Sequence, residues 1–163
     1  MSVHVHTLRR EQRLPRPIDE VFAFFADARN LEAITPPLLR FRVMDSGADA
    51  IEMGPGALIR YRLRVRRVPV GWLTVIREWD PPWRFVDEQL RGPYALWHHT
   101  HTFSALPDGE GATLMRDEVR YALPLGMLGE LARRLFVGRD VEAIFDYRAK
   151  RIVELLEERG ARA

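Results

Sequence analysis

The chain has 163 residues, with 25 Lys and Arg against 23 Asp and Glu, 47% of them hydrophobic and 29% charged, the composition of one self-folding globular domain rather than a disordered chain. It contains no cysteine, which excludes a disulfide framework, a thiolate metal site and a cysteine nucleophile. Lys150 is the only lysine, the other 24 basic residues being arginine, so Schiff-base chemistry has almost no footing.

The first fourteen residues lack the apolar core of a signal peptide, and no run reaches the length of a membrane span. A cytoplasmic, single domain over residues 1–163 is expected, with no domain boundary. Residues 3–13 alternate as a strand and end at Pro15 and Pro17. Ile18, Val21, Phe22, Phe24 and Phe25 then follow at helical spacing, with Asp19 and Glu20 in the first turn, where carboxylates favour the helix dipole. A second short helix over residues 30–34 stops before Pro36 and Pro37.

Six extended segments come next, at 38–45, 57–67, 72–79, 84–91, 95–106 and 112–123. Turn residues separate them: Ser46-Gly47, the stretch 69–71, Asp80 to Pro82, Gly92-Pro93 and the stretch 107–111. From Leu125 onward, Leu128, Leu131, Leu135, Val141, Ile144, Phe145, Ile152, Leu155 and Leu156 recur at three and four, predicting a long closing helix with a break near Gly138. A sheet of this size has one face to bury, and that helix is the only large element to bury it against. The expected fold is an α+β helix grip: a curved antiparallel sheet of about seven strands around a long C-terminal helix, with two short helices after the first strand.

The stretch 97–103 is the most informative. Alternation places Trp97, His99, His101 and Phe103 on one face, and the aromatics at its ends mark that face as interior. On the following strand Met115, Asp117, Val119 and Tyr121 share a face, so Asp117 is an inward carboxylate. Pairing Leu106 with Ala112 sets His101 opposite Asp117 and Phe103 opposite Met115, while the preceding hairpin sets Asp87 opposite His99 and Gln89 opposite Trp97. The result is a polar cluster of Asp87, Gln89, His99, His101 and Asp117 in an aromatic wall. Three uses compete: a metal site, an acid–base pair of His101 with Asp117 and His99 beside them, or a satisfied polar network that anchors a ligand. Both histidines come from one strand and no second source of histidine is near, so no metal and no cofactor are expected.

Ile59, Tyr61, Leu63 and Val65 alternate with Arg60, Arg62, Arg64 and Arg66. The arginine face points outward, neutralised by carboxylates of neighbouring strands, and the aromatics that a nucleic-acid surface needs lie on its other side. No nucleic-acid partner is expected. Trp72, Trp79 and Trp83 are candidates for the pocket wall, the inward side of the 72–79 segment being unassigned. Gly54-Pro55-Gly56 lacks the Lys and Ser/Thr of a phosphate loop. Ser2, Ser46 and Ser104 are the only serines, none in a nucleophile elbow.

The run Pro17-Ile18-Asp19-Glu20-Val21-Phe22 into Phe24-Phe25-Ala26-Asp27, followed by Asn30-Leu31 and Thr35-Pro36-Pro37, resembles the START-like (SRPBCC) superfamily. Trp79-Asp80-Pro81-Pro82, Arg84-Phe85-Val86-Asp87, Gly92-Pro93-Tyr94 and the 97–101 strand are similar to its bacterial branch of stand-alone ligand-binding and polyketide cyclase-like proteins. The resemblance spans nearly the whole chain. It implies a helix-grip fold and a hydrophobic cavity between sheet and C-terminal helix, used for lipids, polyketides, quinones or aromatic compounds, and it carries over no catalytic residue. The reading is a monomer or homodimer that binds a lipophilic small molecule. Tyr61, Trp97, Phe103, Met115, Tyr121, Ile144 and Phe145 supply its apolar wall; Asp87, Gln89, His99 and His101 orient a polar group. The alternative is a cyclase/aromatase- or dehydratase-type enzyme using His101 and Asp117.

Overall fold

The structure, a computed structural model, describes residues 4–44, 51–107 and 111–161. The expected turn at Ser46-Gly47, the strand start at Val3 and the middle of the 107–111 loop lie outside the described residues. Among the described residues seven strands form: β1 His6–Leu14, β2 Arg42–Val43, β3 Leu58–Val65, β4 Val68–Asp80, β5 Arg84–Arg91, β6 Leu96–Ala105 and β7 Thr113–Ala122. They make one antiparallel sheet in the order β1-β7-β6-β5-β4-β3-β2.

Period-two burial dictates which side chains face inward. β3 buries Ile59, Tyr61 and Leu63 between exposed arginines, β6 buries His99, His101 and Phe103, and β7 buries Met115, Asp117, Val119 and Tyr121. The expected strand 38–45 contracts to a 3₁₀ turn, Pro37–Leu39, and the two-residue β2, because Arg40 adopts a left-handed φ of 44° that interrupts extended backbone. The expected strand 72–79 lengthens to β4 and carries a bulge. Ile76 lies opposite Asp87 but Glu78 lies opposite Val86, so Arg77 is an extra residue and the inward phase switches across it. Trp72 and Trp79, an odd number of residues apart, therefore both reach the inner side. Trp72 packs on Trp97 at 5.3 Å between ring centroids and Trp79 on Phe22 at 5.0 Å.

Helix α1, Ile18–Phe25, buries Ile18, Val21, Phe22 and Phe24. Phe22 meets Trp79, Phe85 and Phe103 edge-on, which plugs one end of the sheet. Helix α2, Asn30–Ala33, follows. The closing helix does not break near Gly138. Helix α3, Gly126–Ala132, runs through a π-helical stretch, Arg133–Val137, straight into α4, Gly138–Gly160. The wide turn is relieved by glycine: a Cβ on Gly138 would stand 3.2 Å from the Arg133 carbonyl oxygen.

Helix α4 buries Val141, Phe145, Ile152 and Leu156, an i, i+4, i+11, i+15 stripe laid on the sheet. Phe145 and Val141 pack with Val119 and Tyr121; Ile152 and Leu156 pack with Leu14, Phe24, Phe103 and Met115. Each such side chain contributes about 1.5–3 kcal/mol by leaving water. Between these two clusters, opposite the middle of α4, lies the polar group that the alternation predicted. No helix among the described residues is long and apolar enough to cross a membrane.

Candidate functional site

The register sets His101 opposite Asp117 and Asp87 opposite His99, as the hairpin lengths require. The hydrogen bonds, however, run diagonally. His99 Nε2 lies 2.8 Å from Asp117 Oδ1, and His101 Nε2 lies 2.9 Å from Asp87 Oδ2. The remaining nitrogens face the other carboxylate: His101 Nδ1 is 3.0 Å from Asp117 Oδ1, off the direction a good hydrogen bond needs, and His99 Nδ1 is 3.6 Å from Asp87 Oδ2. Four residues from three adjacent strands thus form a closed ring of imidazoles and carboxylates.

His99, His101 and Asp117 are 3%, 4% and 8% exposed. Phe85 stacks on His101 at 4.0 Å, and Phe145 meets His99 edge-on at 5.4 Å. Burial by itself would raise the Asp117 carboxyl, but the adjoining His101 and His99 imidazoles outweigh it and hold the group well below the usual carboxylate range. Asp87 is lowered in the same way, against burial, by the His101 hydrogen bond and the surrounding positive charge. The histidines diverge. Burial lowers both; at His99 the neighbouring His101 charge lowers it further and the net shift is down. At His101 the adjoining Asp117 and Asp87 carboxylates prevail and the net shift is up.

A fifth group, missed in the sequence, completes the site. Arg148 lies three residues after Phe145 and four before Ile152, on the buried stripe of α4. Its guanidinium sits 5.0 Å over the Phe145 ring, and its Nε is buried with no hydrogen-bond partner. Burial lowers its pKa, opposed by the charges of Asp117, Asp87 and Tyr61. The side chain as a whole is half-buried. The signal was its spacing; the charge disguised it as a solvent-side residue.

Tyr61 is buried against Phe41 and its hydroxyl is pushed up, by burial first and by Asp87 second. Tyr121 and Trp97 pack with Tyr94 beside Phe145. Other expected wall residues sit elsewhere. Phe103 and Met115 belong to the closed core under α1, and Ile144 is only half-buried on the flank of α4. Gln89 does not join the ring: its amide donates to the Tyr94 carbonyl at 2.8 Å and accepts from the Tyr94 N–H, closing the β5–β6 turn. Trp83 is half exposed at a turn and lines nothing inside. On the outer face, Arg62 lies across from Arg42 and Gly71 and Arg64 across from Pro69. The expected neutralising carboxylates are absent from both among the described residues, because β3's neighbours present no acid at those positions.

A family model described as polyketide cyclase/dehydrase and lipid transport matches residues 5–157. Among solved structures, the Zhui aromatase/cyclase from Streptomyces sp. R1128 is 18% identical, with 96% of each chain covered and a TM-score of 0.74. A START superfamily protein from Mycobacterium smegmatis is 13% identical, covering 92% of this chain and 99% of its own, at a TM-score of 0.62. A protein from Thermus thermophilus, TTHA0849, is 23% identical, over 92% and 99%, at 0.62. No curated protein matches. At these identities the structural likeness establishes the helix-grip fold and nothing finer.

Proposed function

The chain belongs to the polyketide cyclase/dehydrase and lipid transport family, and on that premise we propose that it binds a lipophilic small molecule between the inner face of the sheet and α4. The observation that carries this reading is Arg148: a guanidinium over the Phe145 ring with a buried Nε donor that no protein group satisfies. Leaving such a donor unmade costs about 1–3 kcal/mol or more for a charged group, a cost that a ligand oxygen removes. Trp97, Tyr121, Phe145 and Tyr61 supply apolar wall beside it, and Asp87, the least buried member of the ring at 16% side-chain exposure, is its polar floor.

Binding is favoured over proton abstraction by the state of His101. His101 is 4% exposed, its Nε2 is held by Asp87 at 2.9 Å and its Nδ1 is buried against Asp117, so neither nitrogen is presented to a substrate. The test is a thermal-shift and native mass-spectrometry panel of fatty acids, quinones and aromatic polyketide-like acids against wild type and Arg148→Met. Saturable stabilisation by at least one class, weakened tenfold or more in the variant, supports the reading. No stabilisation by any class, or equal binding by the variant, refutes it. Turnover of an enolisable member of the panel, lost in His101→Gln with binding kept, would establish the cyclase-type alternative instead.

A further inference from the structure

The ring of imidazoles and carboxylates is lopsided, and the lopsidedness has the form of a metal centre. Both histidines turn one nitrogen to the same atom of Asp117: His99 Nε2 at 2.8 Å and His101 Nδ1 at 3.0 Å from Oδ1. Their other nitrogens, His99 Nδ1 and His101 Nε2, converge on the same atom of Asp87, Oδ2, at 3.6 and 2.9 Å. One ligand atom from each of Asp87, His99 and His101 lies within 4.8 Å of the other two. Zinc binds nitrogen and carboxylate oxygen at about 2.0–2.2 Å in near-tetrahedral geometry, which separates neighbouring ligand atoms by roughly 3.3 Å. The two distances to Asp87 bracket that value.

We propose that His99 Nδ1, His101 Nε2 and Asp87 Oδ2 bind one divalent first-row transition metal ion, with Asp117 as the carboxylate that orients both imidazoles from behind. Metal-bound histidine characteristically gives its second N–H to a carboxylate, fixing its tautomer and strengthening it as a ligand. Asp117 stands in that position for both rings at once. Without an ion the ring is imperfectly satisfied: His101 Nδ1 is buried and has no well-directed hydrogen bond. Two imidazoles and one carboxylate form an N₂O set suited to Zn²⁺, Fe²⁺ or Co²⁺, and three protein ligands leave a position open. The open side is that of Asp87, the most accessible of the four, whereas Phe85 and Phe145 close the imidazole faces. With Nδ1–H turned to Asp117, His101 offers the Nε2 lone pair to the ion, and any proton on Nε2 leaves to solvent. The ion's two charges meet two carboxylates, and Arg148 adds a third positive charge that favours an anionic fourth ligand.

The site rests on no lipophilic ligand, so metal uptake and ligand binding fail or succeed separately. Purified chain is stripped with chelator and titrated with Co²⁺, read by visible absorption, and with Zn²⁺, read by calorimetry. The proposal predicts one ion per chain, and Co²⁺ bands of a low-coordinate nitrogen–oxygen site. Asp87→Asn and His101→Gln should each weaken binding at least 100-fold, Asp117→Asn 10- to 100-fold, and His98→Ala, on the outer face, not at all. A wild-type protein that gives no saturable Co²⁺ spectrum up to millimolar ion overturns it whatever the variants do. So does binding that survives Asp87→Asn, or that is lost in His6→Ala, which would place the ion on the surface.

Discussion

The two faces of the sheet carry the same kinds of charged group and put them to opposite use. On the outer face Arg9 reaches Glu118 at 2.7 Å and Arg116 reaches Glu11 at 2.6 Å, with Arg9 and Glu118 side chains 75% and 40% exposed. Water screens such pairs, and each contributes about 0.2–1 kcal/mol. On the inner face Asp87, His99, His101 and Asp117 meet at similar distances among Phe85, Phe145 and Phe25, where each charge depends on its partner. Contact distance alone therefore says nothing about consequence; burial decides. Buried ion pairs are poor stabilisers compared with apolar side chains of the same size, so the four titratable groups of the inner wall add less to stability than their closeness suggests.

Removing one member is the sharpest break. Asp117→Ala strips both histidines of their shared acceptor and should cost about 3–5 kcal/mol in urea unfolding; a loss under about 1 kcal/mol would put the ring on a par with the outer face. Phe103→Ala, in the apolar core next to the ring, should cost a similar 3–5 kcal/mol through the cavity it leaves, but without changing metal or ligand affinity beyond its effect on folding. Glu118→Ala, on the outer face, should change stability by no more than about 1 kcal/mol, with the difference shrinking in high salt.

The smallest effect is at the edge. Glu130 accepts from Arg133 and, at 2.8 Å, from His6, and these hold its pKa at about 2, below its ordinary 4.5. A folded value below the unfolded one means a contribution present above pH 4.5 and lost as pH falls toward 2. Melting temperatures of wild type and Glu130→Gln should show their full difference at about pH 5 and above and converge near about pH 2.

The alternation of residues 97–103 and 115–121 made the inward faces legible, and the Leu106–Ala112 pairing fixed which residues stand opposite: His101 with Asp117, Phe103 with Met115. What alternation cannot reveal is the lateral lean of side chains, so the diagonal bonding of His99 to Asp117 and His101 to Asp87 emerged only in three dimensions. The bulge at Arg77 hid the inward side of Trp72 and Trp79 for a related reason, because one inserted residue reverses a period of two. Arg148 was hidden by chemistry rather than geometry: its position between Phe145 and Ile152 is a buried one, and only its charge suggested solvent. Gln89 shows the converse, a correctly placed inward residue whose amide is consumed by a local turn.

The central claim is that the inner face and α4 enclose a bound small molecule at Arg148. A crystal structure of the protein purified without chelator or organic extraction tests it most directly. The account predicts density not accounted for by protein, in contact with the Arg148 guanidinium and bounded by Trp97, Tyr121 and Phe145. An Arg148 guanidinium paired instead to Asp87 or Asp117, with no density beside it beyond that of protein, would contradict it.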